Sequence, residues 1–438
     1  MQNRHRLPLV ALSFLSITVA AAPAPADTAR PAARKASLVK VQPSEAEVTR
    51  ARAHVATIPG LVRATSEDQV DGPSVIPSVS VARKLPASPK LNVAKFGEAV
   101  HGAFKDNVRG YALGLRKNGQ PVLTLQWDRA RTATPALNWS LDTRMHVASV
   151  SKLITAIVAT KMLDERGLSF DTKIGGYLPA YWNEGQNAND LTFRKLLTHQ
   201  AAFTVYGGDY PSFKQQIESG VSTNPADGIG YTNGSFSLVR VLTATMTGAV
   251  NKNYWFSFPV SPAQEEQLND AIWDAKTTDA FLAYAQAKVF TPSGVSNAGA
   301  VPTVVGAHAF SNKGDNQGWN SGDVSTQLGG AGFRLSVNEV LDVMGTFRRK
   351  GTIVSPAKAK ESIEARLGID RIIDTPAGKI YEKNGRWQNG AGPNNDCEQS
   401  VAVYLQEDME VVVFVNSWLP MQASLRNTIR DAYIANLE

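Results

Sequence analysis

Ala148-Ser149-Val150-Ser151-Lys152-Leu153-Ile154-Thr155-Ala156-Ile157-Val158-Ala159-Thr160-Lys161-Met162-Leu163 is the stretch from which the rest of the chain can be read. Leu153, Ile154, Ile157, Val158, Met162 and Leu163 recur at helical spacing, alanines fill several remaining positions, and Gly167 ends the run. A helix this apolar belongs in a domain interior. Ser149 and Lys152 stand at its start, three residues apart, so that hydroxyl and amine share one face and the amine can take the serine proton. Backbone N–H groups at a helix N-terminus can stabilise an oxyanion, and burial lowers the pKa of a lysine so that it can act as a base.

The spacing alone is weak, because it recurs at Ser37 to Lys40 and at Ser355 to Lys358. Ser37 lies in a stretch rich in Ala, Pro, Ser and charge, and Ser355 precedes Pro356 after Lys350-Gly351. Only Ser149 meets a core helix. A capping serine with a surface lysine would give the same pattern, so the assignment needs further elements.

Two follow downstream. Tyr231-Thr232-Asn233 comes after a turn made by Gly228 and Gly230 and precedes a helix, so phenol and amide can project from a fixed corner. Tyr181-Trp182-Asn183 has the same form but follows Pro179 in a polar loop, and reads as a decoy. Lys383-Asn384-Gly385 lies on a strand bounded by Ile380 and Trp387, where the lysine can bind a carboxylate and the glycine can admit a substrate backbone. Lys117-Asn118-Gly119 is identical, and Asn-Gly is also a favoured hairpin turn, so a bland turn at Lys383 remains the competing reading.

Ala148 to Leu153, Tyr231 to Asn233 and Lys383 to Gly385, in that order, resemble the three motifs of the serine β-lactamase and penicillin-binding protein superfamily, in its class C, D,D-peptidase and esterase branch. The similarity runs from about residue 95 to the C-terminus and includes Leu196 to His199, Gly329 to Gly332 and Val412 to Asn416. It implies that Ser149 attacks a carbonyl, that Lys152 and Tyr231 shuttle protons, and that Asn233 orients the lysine and the substrate amide. It also implies a carboxylate-binding role for Lys383 and Asn384, and an oxyanion hole from the N–H groups of Ser149 and Arg386 beside Gly385. Asn384 departs from the usual Ser or Thr, although Lys383 still favours an anionic substrate. Gln200-Ala201-Ala202 departs from the usual Thr-Ser-Gly, and His199 reads as a structural loop residue.

The expected fold is α+β and β-lactamase/transpeptidase-like: an antiparallel sheet from both chain ends, flanked by helices, with a mainly helical second lobe and a cleft between. Leu91 to Phe104, Ser336 to Arg349 and Ala423 to Ala435 read as helices, as do Thr192 to Leu197, Ser235 to Met246 and Thr278 to Val289. Gly110 to Arg116, Gln120 to Trp127, Ile380 to Gln388, Ser400 to Gln406 and Glu410 to Val415 read as strands. The β-lactamase-like domain spans 91–438. Residues 27–90 form a Pro/Ala-rich linker or extension that packs weakly, with one helix from Ser44 to Thr57.

Arg4 and Arg6, the apolar run Leu7 to Ala22 and the small residues ending at Ala26 read as a secretory signal, residues 1–26, and imply a periplasmic or secreted protein. No later segment is apolar enough to span a membrane. Cys397 is the only cysteine, which excludes an intrachain disulfide. Losing Arg4 and Arg6 takes two charges from the formal +6, leaving +4; with basic residues scattered, nucleic acid is not implied. Gly-x-Ser-x-Gly, His-Glu-x-x-His and P-loop patterns are missing, so neither metal nor cofactor is expected. The substrate expected is a small D-amino-acid (cell-wall type) peptide, an ester or a β-lactam. A module that binds wall peptides or a protein partner with little turnover is the second class of function consistent with these residues.

Overall fold

The computed structural model describes residues 38–57, 74–76, 86–390 and 394–438; the expected signal segment lies outside them. Seven strands form one antiparallel sheet: β2 (Gly110–Lys117), β3 (Gln120–Arg131), β4 (Leu137–Asn138), β8 (Arg371–Thr375), β9 (Gly378–Gln388), β10 (Cys397–Tyr404) and β11 (Met409–Val415). Their order is β4-β3-β2-β11-β10-β9-β8, so the two chain ends meet where β11 pairs with β2. The remaining short strands are β1 (Val39–Val41), β5 (Met145–His146), β6 (Tyr254–Phe256) and β7 (Arg334–Leu335).

β11 explains its own position. Val411-Val412-Val413-Phe414-Val415 is apolar at every residue, which suits a strand covered on both faces. Val411, Val413 and Val415 face a core with α2 (Val93–Phe104) and α10 (Leu425–Ala435), through Phe96, Phe104, Ile429 and Tyr433. Val412 and Phe414 face the opposite core, shared with α3 (Ser151–Asp164) and α8 (Val337–Gly345).

A third core fills the helical lobe, built by α4 (Phe193–Leu197), α5 (Tyr210–Ser219), α6 (Asn233–Met246) and α7 (Pro262–Ala285) around Trp182, Phe213, Leu242 and Trp273. α3 joins the lobes. Its Ile154, Ile157 and Val158 belong to the sheet-side core, its Ala156, Ala159, Met162 and Leu163 to the helical one, and every residue except Lys161 and Asp164 is buried. This is why the sequence is apolar on all sides. Burying a leucine- or isoleucine-sized side chain contributes about 2 kcal/mol, so α3 is anchored independently of any intrinsic helix propensity.

Two expectations are corrected. α1 (Glu45–Thr57) forms where a helix is expected, but residues 38–57 of the N-terminal extension dock on the helical lobe. β1 pairs in parallel with β6, Ala51 is buried in the core of the helical lobe, and Arg50 and Glu47 pair with Asp279 and Lys276 of α7. Helix α7, read from Thr278 onward, begins at Pro262 behind a Ser261 capping box.

Candidate active site

Ser149 sits in a single tight turn, Ala148–Val150, that leads directly into α3. Ala148 is left-handed, with φ +47°. For a residue with a Cβ this conformation costs on the order of 1–2 kcal/mol and persists only when neighbours hold it. Those neighbours are identifiable: Val147 N–H donates to Phe333 O, Phe333 N–H donates to Ser151 Oγ, and Ser400 Oγ donates to Val147 O. β9 presses on the same turn. A Cβ on Gly385 would lie 2.7 Å from Ser149 N, Val147 O and Ser400 Oγ, so only glycine permits this approach.

Ser149 and Lys152 are fully buried, and Lys152 Nζ lies 2.8 Å from Ser149 Oγ, 2.6 Å from Asn233 Oδ1 and 2.7 Å from Gly330 O. Asn233 opens α6, whose Thr232 cap accepts from Ser235 N–H. The Gly329-Gly330 turn is wedged between α3 and α6. A Cβ on Gly330 would lie 2.7 Å from Asn233 O, and Thr155 Oγ1 donates to Gly329 O. Gly329 to Gly332, named above only as part of the resemblance, therefore supplies Lys152 with a carbonyl, a role visible only once α3 and α6 are packed.

Tyr231 follows the left-handed Gly230 and places its ring 4.5 Å from Lys152 Nζ and 5.2 Å from Lys383 Nζ. Lys383 Nζ donates to Tyr231 Oη at 3.4 Å. Beneath the phenol lies His199, its ring centroid 4.2 Å away and tilted by 33°. His199 Nδ1 accepts from Thr232 N–H at 3.3 Å. Burial first, then Lys152, Lys383 and Arg366, hold its pKa well below the usual histidine value, so the ring is neutral. His199, expected to be a structural loop residue, lies in the turn after α4 and is the support on which Tyr231 rests.

Lys383, Asn384, Gly385 and Arg386 occupy the middle of β9 rather than a turn. Their lookalike at Lys117 is the hairpin, with Asn118 and Gly119 at φ +51° and +78°. Arg386 extends away over the Trp418 ring at 5.1 Å. Tyr181, the other lookalike, is buried in the helical lobe and donates to Asp270. Ser355 caps α9 (Pro356–Glu364) by accepting from Lys358 N–H, and Ser37 lies outside the described residues.

One neighbour was not read from the sequence. Asp370 Oδ1 lies 2.7 Å from Lys383 Nζ, while its Oδ2 accepts from Asn384 N–H at 3.1 Å and from Arg426 Nη1 at 3.4 Å. Arg426 also donates to Asn384 Oδ1 at 3.0 Å. The lysine expected to meet a substrate anion is thus already ion-paired. A signal existed: the β8–β9 hairpin pairs Thr375 with Gly378 and Arg371 with Glu382, and the same register sets residue 370 opposite 383. The cleft beside Tyr231 has a volume of about 480 Å³ and is walled by His199, Arg366, Asp370, Arg371 and Arg426. That is within the range of small-molecule sites. Among the described residues no group of His, Cys, Asp and Glu could hold a metal ion, and no helix is long and apolar enough to cross a membrane.

Comparison with solved structures places this architecture among known ones. A class C β-lactamase from Rhodobacter sphaeroides superposes with a TM-score of 0.53 at 18% identity, over 77% of this chain and 97% of that one. A β-lactamase/D-alanine carboxypeptidase from Pseudomonas syringae gives 0.55 at 13% identity, over 78% and 97%. The D-amino acid amidase of Ochrobactrum anthropi SV3 gives 0.52 at 14%, over 78% and 97%. At these identities the likeness concerns the fold: a β-lactamase/transpeptidase-like α+β architecture. The Beta-lactamase family model matches residues 92–436, nearly all of the two-lobed body, and the chain belongs to that family.

Proposed function

We propose that this protein is an exported serine hydrolase that acts through an acyl-enzyme on a D-amino-acid (cell-wall type) peptide, an ester or a β-lactam. The observation that carries the reading is the set of three oxygens around Lys152 Nζ. Asn233 Oδ1 and Gly330 O can only accept hydrogen bonds, whereas a hydroxyl can donate or accept. In its neutral form the amine would spend its two N–H groups on the carbonyl oxygens and turn its lone pair to the Ser149 hydroxyl. That is the arrangement of a general base on its nucleophile.

As Ser149 Oγ bonds to the substrate carbonyl carbon, its proton passes to Lys152 Nζ. The developing oxyanion needs donors held in place beforehand. Asp370 N–H donates to Glu382 O, so residue 382 turns its backbone groups toward the β8 edge. Strand alternation turns those of Asn384 and Arg386 the same way. The Arg386 N–H then faces the open edge of β9 beside Ser149 and, with Ser149 N–H, supplies the oxyanion hole. When the tetrahedral intermediate collapses, the bond to the leaving group breaks and the proton leaves with it from Lys152 or Tyr231. Water then attacks the ester, and the same groups take its proton and return it to Ser149 Oγ as the bond to the acyl carbon breaks, freeing the serine. The exported state is supported by Arg4, Arg6 and the apolar run Leu7 to Ala22.

Intact-protein mass spectrometry of residues 27–438 after exposure to a fluorophosphonate and, separately, to a fluorescent penicillin tests this reading against Ser149→Ala. One adduct at Ser149, missing from the variant, is expected with the fluorophosphonate. Folded protein that stays unmodified by both probes would overturn the enzyme reading and favour a module that binds wall peptides or a protein partner.

A further inference from the structure

In the sheet-edge pocket beside Tyr231, three donors converge on one carboxylate that belongs to the chain. Lys383 Nζ, the Asn384 N–H and Arg426 Nη1 all meet Asp370. The side chains of Lys383 and Arg426 are 1% and 4% exposed, and that of Asp370 is 12% exposed, so the group sits at the inner wall of the cleft. Two cations and a backbone N–H around a single position are what a carboxylate-bearing ligand would require. Here that position is filled from within.

The filling group is built in at the level of the backbone. Asp370 N–H is bonded to Glu382 O, which fixes the residue at the mouth of the β8–β9 hairpin. Two residues earlier, Gly368 is left-handed and packed so closely on α3 that a Cβ would lie 2.6 Å from Lys152 O. Gly368 N–H is held by Leu197 O. The turn that carries Asp370 therefore cannot swing aside without disturbing the helix that carries Lys152. A substrate carboxylate would have to displace a tethered competitor, whose effective concentration is on the order of millimolar or above. Binding alongside is no alternative, because two ionised carboxylates at one site repel each other.

We infer that Asp370 is a specificity-determining residue: by occupying the Lys383–Asn384–Arg426 site it turns the enzyme toward neutral esters and amides, and against substrates with a carboxylate beside the scissile bond. This rests on the acyl-transfer reading above and sharpens it. A peptide ending in a D-amino acid and a penicillin both carry such a carboxylate; a simple ester or a D-amino-acid amide does not. Lys383 keeps its contact with Tyr231 while its charge is neutralised by Asp370, so it remains part of the proton-transfer corner without serving as an anion receptor.

The test compares two esters of N-acetyl-D-alanine, one with glycolate and one with glycolamide as leaving group, each rate scaled to its alkaline hydrolysis. They differ in the carboxylate alone. Wild-type enzyme is expected to favour the glycolamide ester about tenfold or more in kcat/KM, the size a like-charge clash produces. In Asp370→Asn that preference should shrink several-fold, through a lower KM for the glycolate ester, a split that general loosening of the fold would not produce. Equal use of both esters by the wild type, or a preference unchanged in the variant, would overturn the inference; the wild-type ratio decides alone if the variant does not fold. Fluorophosphonate labelling of Ser149 in the same preparation separates the two levels. Labelling with no discrimination between the esters rejects the role of Asp370 only, whereas no labelling rejects the hydrolase reading and this inference with it.

Discussion

Gly385 shows how a missing side chain lets a strand meet the turn that carries Ser149. With a Cβ, residue 385 would press on Ser149 N, Val147 O and Ser400 Oγ at 2.7 Å, and two of those atoms belong to the turn that holds Ala148 in its left-handed conformation. Either β9 would back away, withdrawing the Arg386 N–H, or the turn would shift and carry the Ser149 N–H with it. Both routes damage the same pair of donors. Gly385→Ala is therefore expected to slow acylation of Ser149 about a hundredfold or more, the usual consequence of losing one oxyanion donor. Time-resolved labelling by a fluorophosphonate, with circular dichroism to confirm the fold, reads this directly. Labelling within a few-fold of the wild-type rate would show that the contact between β9 and the turn does not set reactivity.

At the scale of elements, the Gly330 carbonyl depends on a buried ion pair some distance behind it. Arg240 of α6 is fully buried, donates to Asp274 of α7 at 2.5 Å, and donates to Thr326 O at 2.7 Å. It thereby fixes the segment that runs into Gly329 and Gly330. Removing one partner of a buried pair leaves a desolvated charge, so Arg240→Met should cost about 3–5 kcal/mol in urea unfolding. Arg240→Met combined with Asp274→Leu should recover much of that loss, since the stranded charge is gone. A double variant no more stable than the single one would mean that the carbonyl contacts, not the charge, carry the energy. What could be read in advance at this scale follows the same division. α3 and β11 announce themselves because each is apolar in the pattern its surroundings demand, whereas β9 is marked only by Ile380 and Trp387 on either side of Lys383-Asn384-Gly385. β8 is short and half-buried, so no alternation marks it, and Asp370 went unread although the hairpin register alone sets it opposite Lys383. The first turns of α7 carry no apolar signal because Gln264, Glu265, Glu266 and Gln267 come before the large buried side chains Leu268, Ile272 and Trp273 that anchor them.

For the whole molecule, the site exists because one helix serves two cores, and the charges left at that junction make stability depend on pH. Glu382 lies on β9 next to Lys383 and is fully buried; its carboxyl has Arg426 Nε at 3.9 Å. Burial pushes its pKa up from 4.5 to about 7, against the pull of Arg426, Arg430 and Arg371 and with some help from Asp370. The unfolded carboxyl ionises near 4.5, whereas the folded one keeps its proton until about 7. Between those values the native state binds more protons than the unfolded state, so unfolding free energy falls as pH rises. A raised acid pKa contributes stability in full below 4.5 and loses it on the way to 7. A shift of this size corresponds to about 3 kcal/mol across the window. Glu382→Gln removes the titration while keeping the shape. Relative to wild type, the variant should gain roughly 2–3 kcal/mol between pH 4.5 and pH 8 in urea unfolding, because only the wild type loses stability over that range. All other titrating groups are common to both proteins and cancel in the difference. A stability difference that stays constant with pH would show that Glu382 ionises as an ordinary carboxyl, and that Arg426 is shared between it and Asp370 as a fully charged cluster.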